Sequence, residues 1–264
     1  MLELINVSKI FNGGTVNEKV ALNRLNLKLE EGDFVTVIGG NGAGKSTMMN
    51  IVSGAMQPDE GSVILGGVDV TKISEHKRAK YLGRVFQDPV MGTASDMQIE
   101  ENLALAARRG KVRGLGWGIT KAERETYRQM LAEMDLGLED RLTTKVKLLS
   151  GGQRQALTLL MATMNSPKLL LLDEHTAALD PKTSAKVLAI TKKIVEENNL
   201  TTLMITHNMA DAIAYGNRLV MLHEGKIIYD AKGEEKKNLT VKSLLGKFET
   251  AAGDFIPSDK LVLG

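Results

Sequence analysis

The sequence predicts an α/β fold in which a mainly parallel sheet is covered by helices. Three observations predict it. Short apolar, β-branched runs are closed off by glycines or acidic residues, as buried strands are. Many of these runs alternate with stretches of helical period, the order that produces a parallel, helix-covered sheet. From about 88 to 166 the strand-like runs stop and helical periodicity takes over, which reads as a helical insertion into that sheet.

Taken in order, residues 2–11 alternate loosely as a strand, and Asn12, Gly13 and Gly14 supply a turn signal. Residues 20–29 set Ala21, Leu25, Leu27 and Leu29 as the apolar positions of a second strand. Glu31 and Gly32 then turn the chain into a third at 34–38. Residues 61–66 form a short strand bounded by glycines, and 84–86 another, with Gln87 directly after it. In the helical stretch, Thr120 and Glu123 make a capping box ahead of a face carrying Tyr127, Met130, Leu131 and Met134. Leu157, Leu160, Met161 and Met164 form a second such face, and the methionines read as core filler. The basic, glycine-rich 108–118 reads as a solvated loop. Strands return at 168–173, 201–205, 218–222 and 226–229. A helix over 181–198 turns Val187, Ile190 and Ile194 inward. The polar tail after Ala231 carries one short helix near 240–246.

Composition excludes several classes. The 264 residues suffice for one core, or one core with a subdomain. A formal charge of +2 does not by itself imply a nucleic-acid or anionic-membrane partner. With no cysteine, disulfides and thiolate metal sites are impossible. The N-terminus lacks a signal-peptide layout, and no apolar run approaches the ~20 residues that span a bilayer. The expectation is a soluble protein that meets a membrane only through a partner.

The chemistry concentrates first at 39–47, where Gly39, Gly40, Asn41, Gly42, Ala43, Gly44, Lys45, Ser46 and Thr47 lie between a strand and a helix. That is the context the G-x-x-x-x-G-K-[ST] P-loop pattern requires. Glycines let backbone N–H groups form an anion-binding nest, and the helix N-terminus adds partial positive charge. Lys45 supplies a mobile cation for the β- and γ-phosphates, and the Ser46 hydroxyl can ligate Mg²⁺. The residues therefore predict a nucleoside triphosphate site. At the C-terminal tip of the 168–173 strand stand Asp173, suited to hold Mg²⁺, and Glu174, suited to polarise the attacking water. Ser150, Gly151, Gly152 and Gln153 open a helix. They are a capping box on a glycine turn, and the same geometry can grip a phosphate; both readings hold together.

These three motifs, in this order and with a helical insertion between the first two, closely resemble the ATP-binding subunit of ABC transporters. The resemblance covers the chain to about Tyr229. It implies a P-loop NTPase core with a mainly parallel sheet, an N-terminal antiparallel β subdomain and an inserted helical subdomain. The expected division is 1–87, the β subdomain and P-loop part of the core; 88–166, the helical signature subdomain; 167–230, the rest of the core; and 231–264, a tail.

The resemblance also assigns further positions. Gln87 matches the glutamine that senses Mg²⁺ and the attacking water, and Asp180 the aspartate that contacts the opposite subunit; Asp180 before Pro181 is also a good N-cap. His207 matches the histidine that bonds the γ-phosphate. Phe11 matches the aromatic that stacks on adenine, with a core position as the competing reading. Departures are mild: Gly40 stands where Pro or Ser is frequent, His175 where Pro is frequent, and Arg154 begins a continuation less arginine-rich than usual.

By the resemblance, two copies meet head to tail and sandwich ATP between the P-loop of one and the 150–153 turn of the other. The implied partners are a second copy, integral-membrane permease subunits and an extracytoplasmic solute-binding protein, with no nucleic acid. The place is the cytoplasm, at the inner face of the cell membrane. The continuation from Arg154, together with residues 87–93, 173–180 and 206–212, resembles a bacterial importer branch associated with tryptophan- or tyrosine-type substrates. The same module serves exporters, and soluble machines acting on ribosomes or DNA. Those machines usually carry two modules or long heptad segments, neither of which is present here.

Overall fold

The computed structural model describes residues 1–111 and 118–252. β1 (Leu2–Phe11) and β2 (Lys19–Leu29) pair antiparallel, with Leu4 opposite Leu27 and Phe11 opposite Lys19. β3 (Phe34–Ile38) is buried along its whole length and leads through the glycine loop into α1 (Lys45–Ser53). β4 (Glu60–Leu65) returns to the free edge of β1, and β5 (Val68–Asp69) completes a four-stranded antiparallel sheet in the order β2-β1-β4-β5.

After α2 (Glu75–Arg78) and β6 (Leu82–Val85), the chain runs through α3 (Ile99–Ala107), α4 (Lys121–Ala132) and α5 (Gly151–Thr163). It re-enters the sheet as β7 (Leu169–Asp173), followed by α6 (Pro181–Glu197), β8 (Thr202–Ile205), α7 (Met209–Ala214), β9 (Arg218–His223), β10 (Lys226–Lys232), α8 (Glu234–Lys237) and α9 (Val241–Ala252). The second sheet has the order β10-β9-β3-β8-β7-β6 and is parallel except for the antiparallel edge strand β10. Its centre is sealed by helices on both faces, so its strands read as unbroken apolar runs rather than alternating ones. Leu169 to Leu172 are all fully buried.

The three helices of the insertion close a core of their own from Leu103, Tyr127, Leu131, Leu138 and Leu157. The capping box at Thr120 is formed: its hydroxyl accepts from the Glu123 N–H, and the Glu123 carboxylate accepts from the Thr120 N–H. α3 is fixed beside it by Glu100, whose buried carboxylate takes a two-pronged bond from Arg124 at 2.7 and 2.9 Å. Most of the glycine-rich 108–118 lies outside the described residues. The tail helix, expected over 240–246, runs from Val241 to Ala252. It is longer because Leu244 and Phe248 bury against Ile38, Met209 and Met221, and tertiary burial extends a helix beyond what local periodicity signals.

The sheet order positions the site. β3, β8 and β7 are adjacent and parallel, so their C-terminal tips share one edge. Ligands of open α/β sheets bind at that edge. Here it presents the 39–47 loop, His207 and the Asp173–Glu174 pair.

Candidate functional site

The glycine loop is shaped by close backbone approaches. Gly44 has φ 104°, and a Cβ there would lie 2.5 Å from the Ala21 carbonyl oxygen, so a side chain is excluded on both counts. Gly44 is also the N-cap of α1, and no side chain caps the first-turn amides of that helix. These N–H groups face the loop, ready for an anion. The Lys45 ammonium arches back and donates to the carbonyls of Gly39 (2.7 Å) and Gly40 (3.2 Å). Burial lowers its pKa, and the negative charges of Glu174 and Asp173 oppose that shift. Lys45 therefore lies within electrostatic reach of both carboxylates.

Those carboxylates close β7. Asp173 is held from outside by Arg84 (3.4 Å), which also bonds Asn50 and Ser53 of α1 and stacks on Phe86. Glu174 takes a left-handed backbone, φ 47°, and its N–H donates to the Ile205 carbonyl of the neighbouring strand. A non-glycine residue in that region is strained and persists only where its surroundings hold it. The conformation brings Glu174 Oε1 to 2.5 Å from His207 Nε2. His207 lies between β8 and α7, whose N-terminus is capped by Asn208 through bonds to the Ala210 and Asp211 amides. The residue after Glu174 turns the other way: His175 is buried, pairs through Nε2 with Thr191 Oγ1 at 3.1 Å, and burial pushes its pKa down to about 4.

A cavity of about 290 Å³ joins these elements, lined by Asn41 to Thr47, Glu174, His207 and Phe11. Phe11 is half-buried, so one ring face can serve a planar ligand. A larger cavity of about 1100 Å³ shares Asn41, Gly42, Ala43 and His207 with it and extends past Gly39 and Gly40 to Phe248. Two contributors were not singled out from the sequence. Lys19 lines both cavities, and its Nζ would stand 3.1 Å from a Cβ on Gly42. A hairpin register between the first two strands could have found it, since Lys19 pairs with Phe11. Phe248 arrives from more than 200 residues along the chain, and no local signal points to it.

Other predicted residues stand apart. Gln87 is exposed just beyond β6 and lines neither cavity. Ser150 caps α5: its hydroxyl accepts from the Gln153 N–H, and Gln153 Oε1 accepts from the Ser150 N–H. Gly152 has a packing reason as well, because a Cβ there would meet Thr183 Cγ2 at 2.1 Å where α5 crosses α6. Asp180 caps α6, and its hydrogen bonds from Thr183 hold its carboxyl below the usual range. Ser150, Gly151 and Asp180 are exposed, on surface that lines neither cavity. The donor set fits a magnesium–triphosphate. Ser46 and Asp173 offer hard oxygen ligands, while Lys45 and the α1 amides offer cation and N–H donors to phosphate. Among the described residues no helix is long and apolar enough to cross a membrane.

Comparison with known proteins gives concordant findings. Residues 22–177 match the family model described as ABC transporter. A tyrosine transport ATP-binding protein of Clostridioides difficile is 46% identical over 95% of this chain and 100% of its own length. The phosphonates import ATP-binding protein PhnC of Treponema denticola is 35% identical over 87% of this chain and 89% of its own. Among solved structures, the dimeric post-hydrolysis state of the ATP-binding cassette MJ0796, bound to ADP and Pi, superposes with a TM-score of 0.75. It is 32% identical, over 88% of this chain and 98% of that one.

Proposed function

This chain belongs to the ABC transporter family as an ATP-hydrolysing cassette, and we propose that it drives uptake of an aromatic amino acid, tyrosine or a close relative, through a separate permease. The observation that carries the chemistry is the convergence of Lys45, Glu174 and His207 on one cavity beneath an uncapped helix N-terminus.

In this reading Lys45, the α1 amides and Lys19 hold the triphosphate, and Phe11 stacks on the base. Ser46 and Asp173 would hold Mg²⁺, which would supply charge neutralisation to the phosphates when bound. Glu174 accepts the proton of the attacking water through the carboxylate oxygen that His207 does not occupy. His207 is within reach to exchange its bond with Glu174 for one with the γ-phosphate. Gln87, Ser150 to Gln153 and Asp180 act from surfaces that a second copy or the permease brings up. A head-to-tail dimer puts the α5 N-terminus of one copy over the P-loop of the other. The tyrosine-transport relative, aligned along its full length, supports the substrate class. The site of action is the inner face of the cell membrane, through the permease and with a solute-binding protein outside.

The test pairs one variant with one assay. Glu174→Gln keeps the shape of the side chain and removes the base. It is expected to bind ATP normally, to hydrolyse it about 100-fold more slowly or worse, and to accumulate as a closed dimer. Wild-type turnover in that variant would remove Glu174 from its role. Radiolabelled tyrosine uptake in cells lacking this chain tests the transport half: uptake should fall and return with the wild-type chain but not with Glu174→Gln.

A further inference from the structure

The segment 174–180 carries Glu174 at one end and the N-cap Asp180 at the other, and His175 is its one buried residue. Two backbone bonds shape it, from the Ala177 N–H to the Glu174 carbonyl (3.0 Å) and from the Leu179 N–H to the Thr176 carbonyl (3.1 Å). Both are internal to the segment and fix its curl, not its position on the sheet. The Glu174 N–H ties one point to β8. Beside that bond and the Glu174–His207 contact stands a fully buried side-chain tie: His175 Nε2 lies 3.1 Å from Thr191 Oγ1 in the middle of α6. The Thr191 hydroxyl donates at 2.9 Å to the Val187 carbonyl one turn back, so its oxygen is the acceptor for an imidazole N–H. In that arrangement the imidazole carries its proton on Nε2. Thr191 is fully buried and His175 only 2% exposed, so water cannot replace either partner.

We propose that His175 is a positioning residue for ATP hydrolysis, holding the strained Glu174 backbone through its bond to Thr191 so that the carboxylate stays aimed at the attacking water. This deepens the reading of Glu174 as the base and rests on it. Such a tie is needed here because a φ of 47° does not hold itself in a glutamate. A side chain anchored one residue away resists the swing that would relax it. Displacement of a catalytic group by about 1 Å costs up to ~100-fold in rate, whereas substrate binding by the glycine loop is untouched. The signature of the role is therefore a fall in kcat without a change in KM.

The experiment is steady-state ATPase of the full chain with Mg²⁺ and ATP, comparing wild type, Thr191→Val and Thr191→Ser, with thermal melts of each. Thr191→Val keeps the shape and removes the acceptor; Thr191→Ser keeps the hydroxyl. The expected result is a kcat about tenfold or more lower in Thr191→Val, a KM within about twofold, and recovery in Thr191→Ser. Unchanged kcat in folded Thr191→Val overturns the proposal, and so does a loss that appears in KM. Should Thr191→Val not fold, long-range ¹H–¹⁵N spectra of the wild type decide: His175 as a fixed Nε2–H tautomer supports the tie, and the Nδ1–H form or a mixture overturns it. Glu174→Gln, measured in parallel, separates the two readings. If it stays active, the assignment of Glu174 fails; if it is dead while Thr191→Val is unaffected, only the role of His175 fails.

Discussion

Two helix N-termini in this molecule carry glycine-rich turns, and they are finished in opposite ways. α1 begins at Gly44 with no capping side chain and no acid in its first turn, and the nearest cation, Lys45, is spent on the carbonyls of Gly39 and Gly40. α5 begins at Ser150 with a complete reciprocal box to Gln153. The first end leaves its amides without the stabilisation a side-chain cap gives, about 1 kcal/mol, so its ligand must act as the cap. The second is satisfied from within and can only add a contact to a phosphate already held elsewhere. One motif is a primary binding site and the other a secondary one, and the capping chemistry tells them apart.

Substitutions can break or sharpen that contrast. The largest effect is expected at Lys45: Lys45→Ala should weaken ATP binding about 100-fold, ~2.7 kcal/mol, in calorimetric titration of the single chain. Unchanged affinity would mean that the α1 end is not the primary site. Phe11→Ala should remove a stacking face worth ~1–2 kcal/mol, while Phe11→Tyr binds like wild type, read by the same titration with ATP and ADP. The smallest effect belongs to the self-capped end. Ser150→Ala should lower stability by ~1 kcal/mol in urea unfolding and leave the ATP affinity of a dilute chain as it was. Its turnover should fall only at concentrations where copies pair. A loss of affinity in dilute Ser150→Ala would erase the distinction between the two ends.

Much of this was legible in the sequence because it is local. The strand before the glycine loop, the capping boxes at Thr120 and Ser150 and the N-cap at Asp180 are set by residues within a few positions of one another, and each is found as the pattern requires. Asp173 and Glu174 fall at the strand tip for the same reason. What stayed hidden depends on distant partners. The left-handed φ of Glu174 has no sequence signal of its own, since glutamate does not favour it. The length of α9 is decided by Ile38 and Met221, and the place of Lys19 over Gly42 by the register of a hairpin. The departure at position 175, which reads as a mild oddity in the sequence, acquires a reason only when Thr191 is seen opposite it.

Phe248 links α9 to the phosphate loop in a way that protease digestion can read. Its ring is buried edge-on against His223, and its Cζ comes within 3.7 Å of where a Cβ on Gly40 would sit. The far helix is thus part of the wall behind the phosphate loop. Any opening that peels α9 away disturbs that wall, so bound nucleotide opposes it by RT ln(1 + [L]/Kd), ~2.7 kcal/mol at 100 times Kd. Trypsin cutting at Lys242 and Lys247 should then slow as ATP is added. Occupancy of a site near residue 45 would be reported by a cleavage some 200 residues downstream.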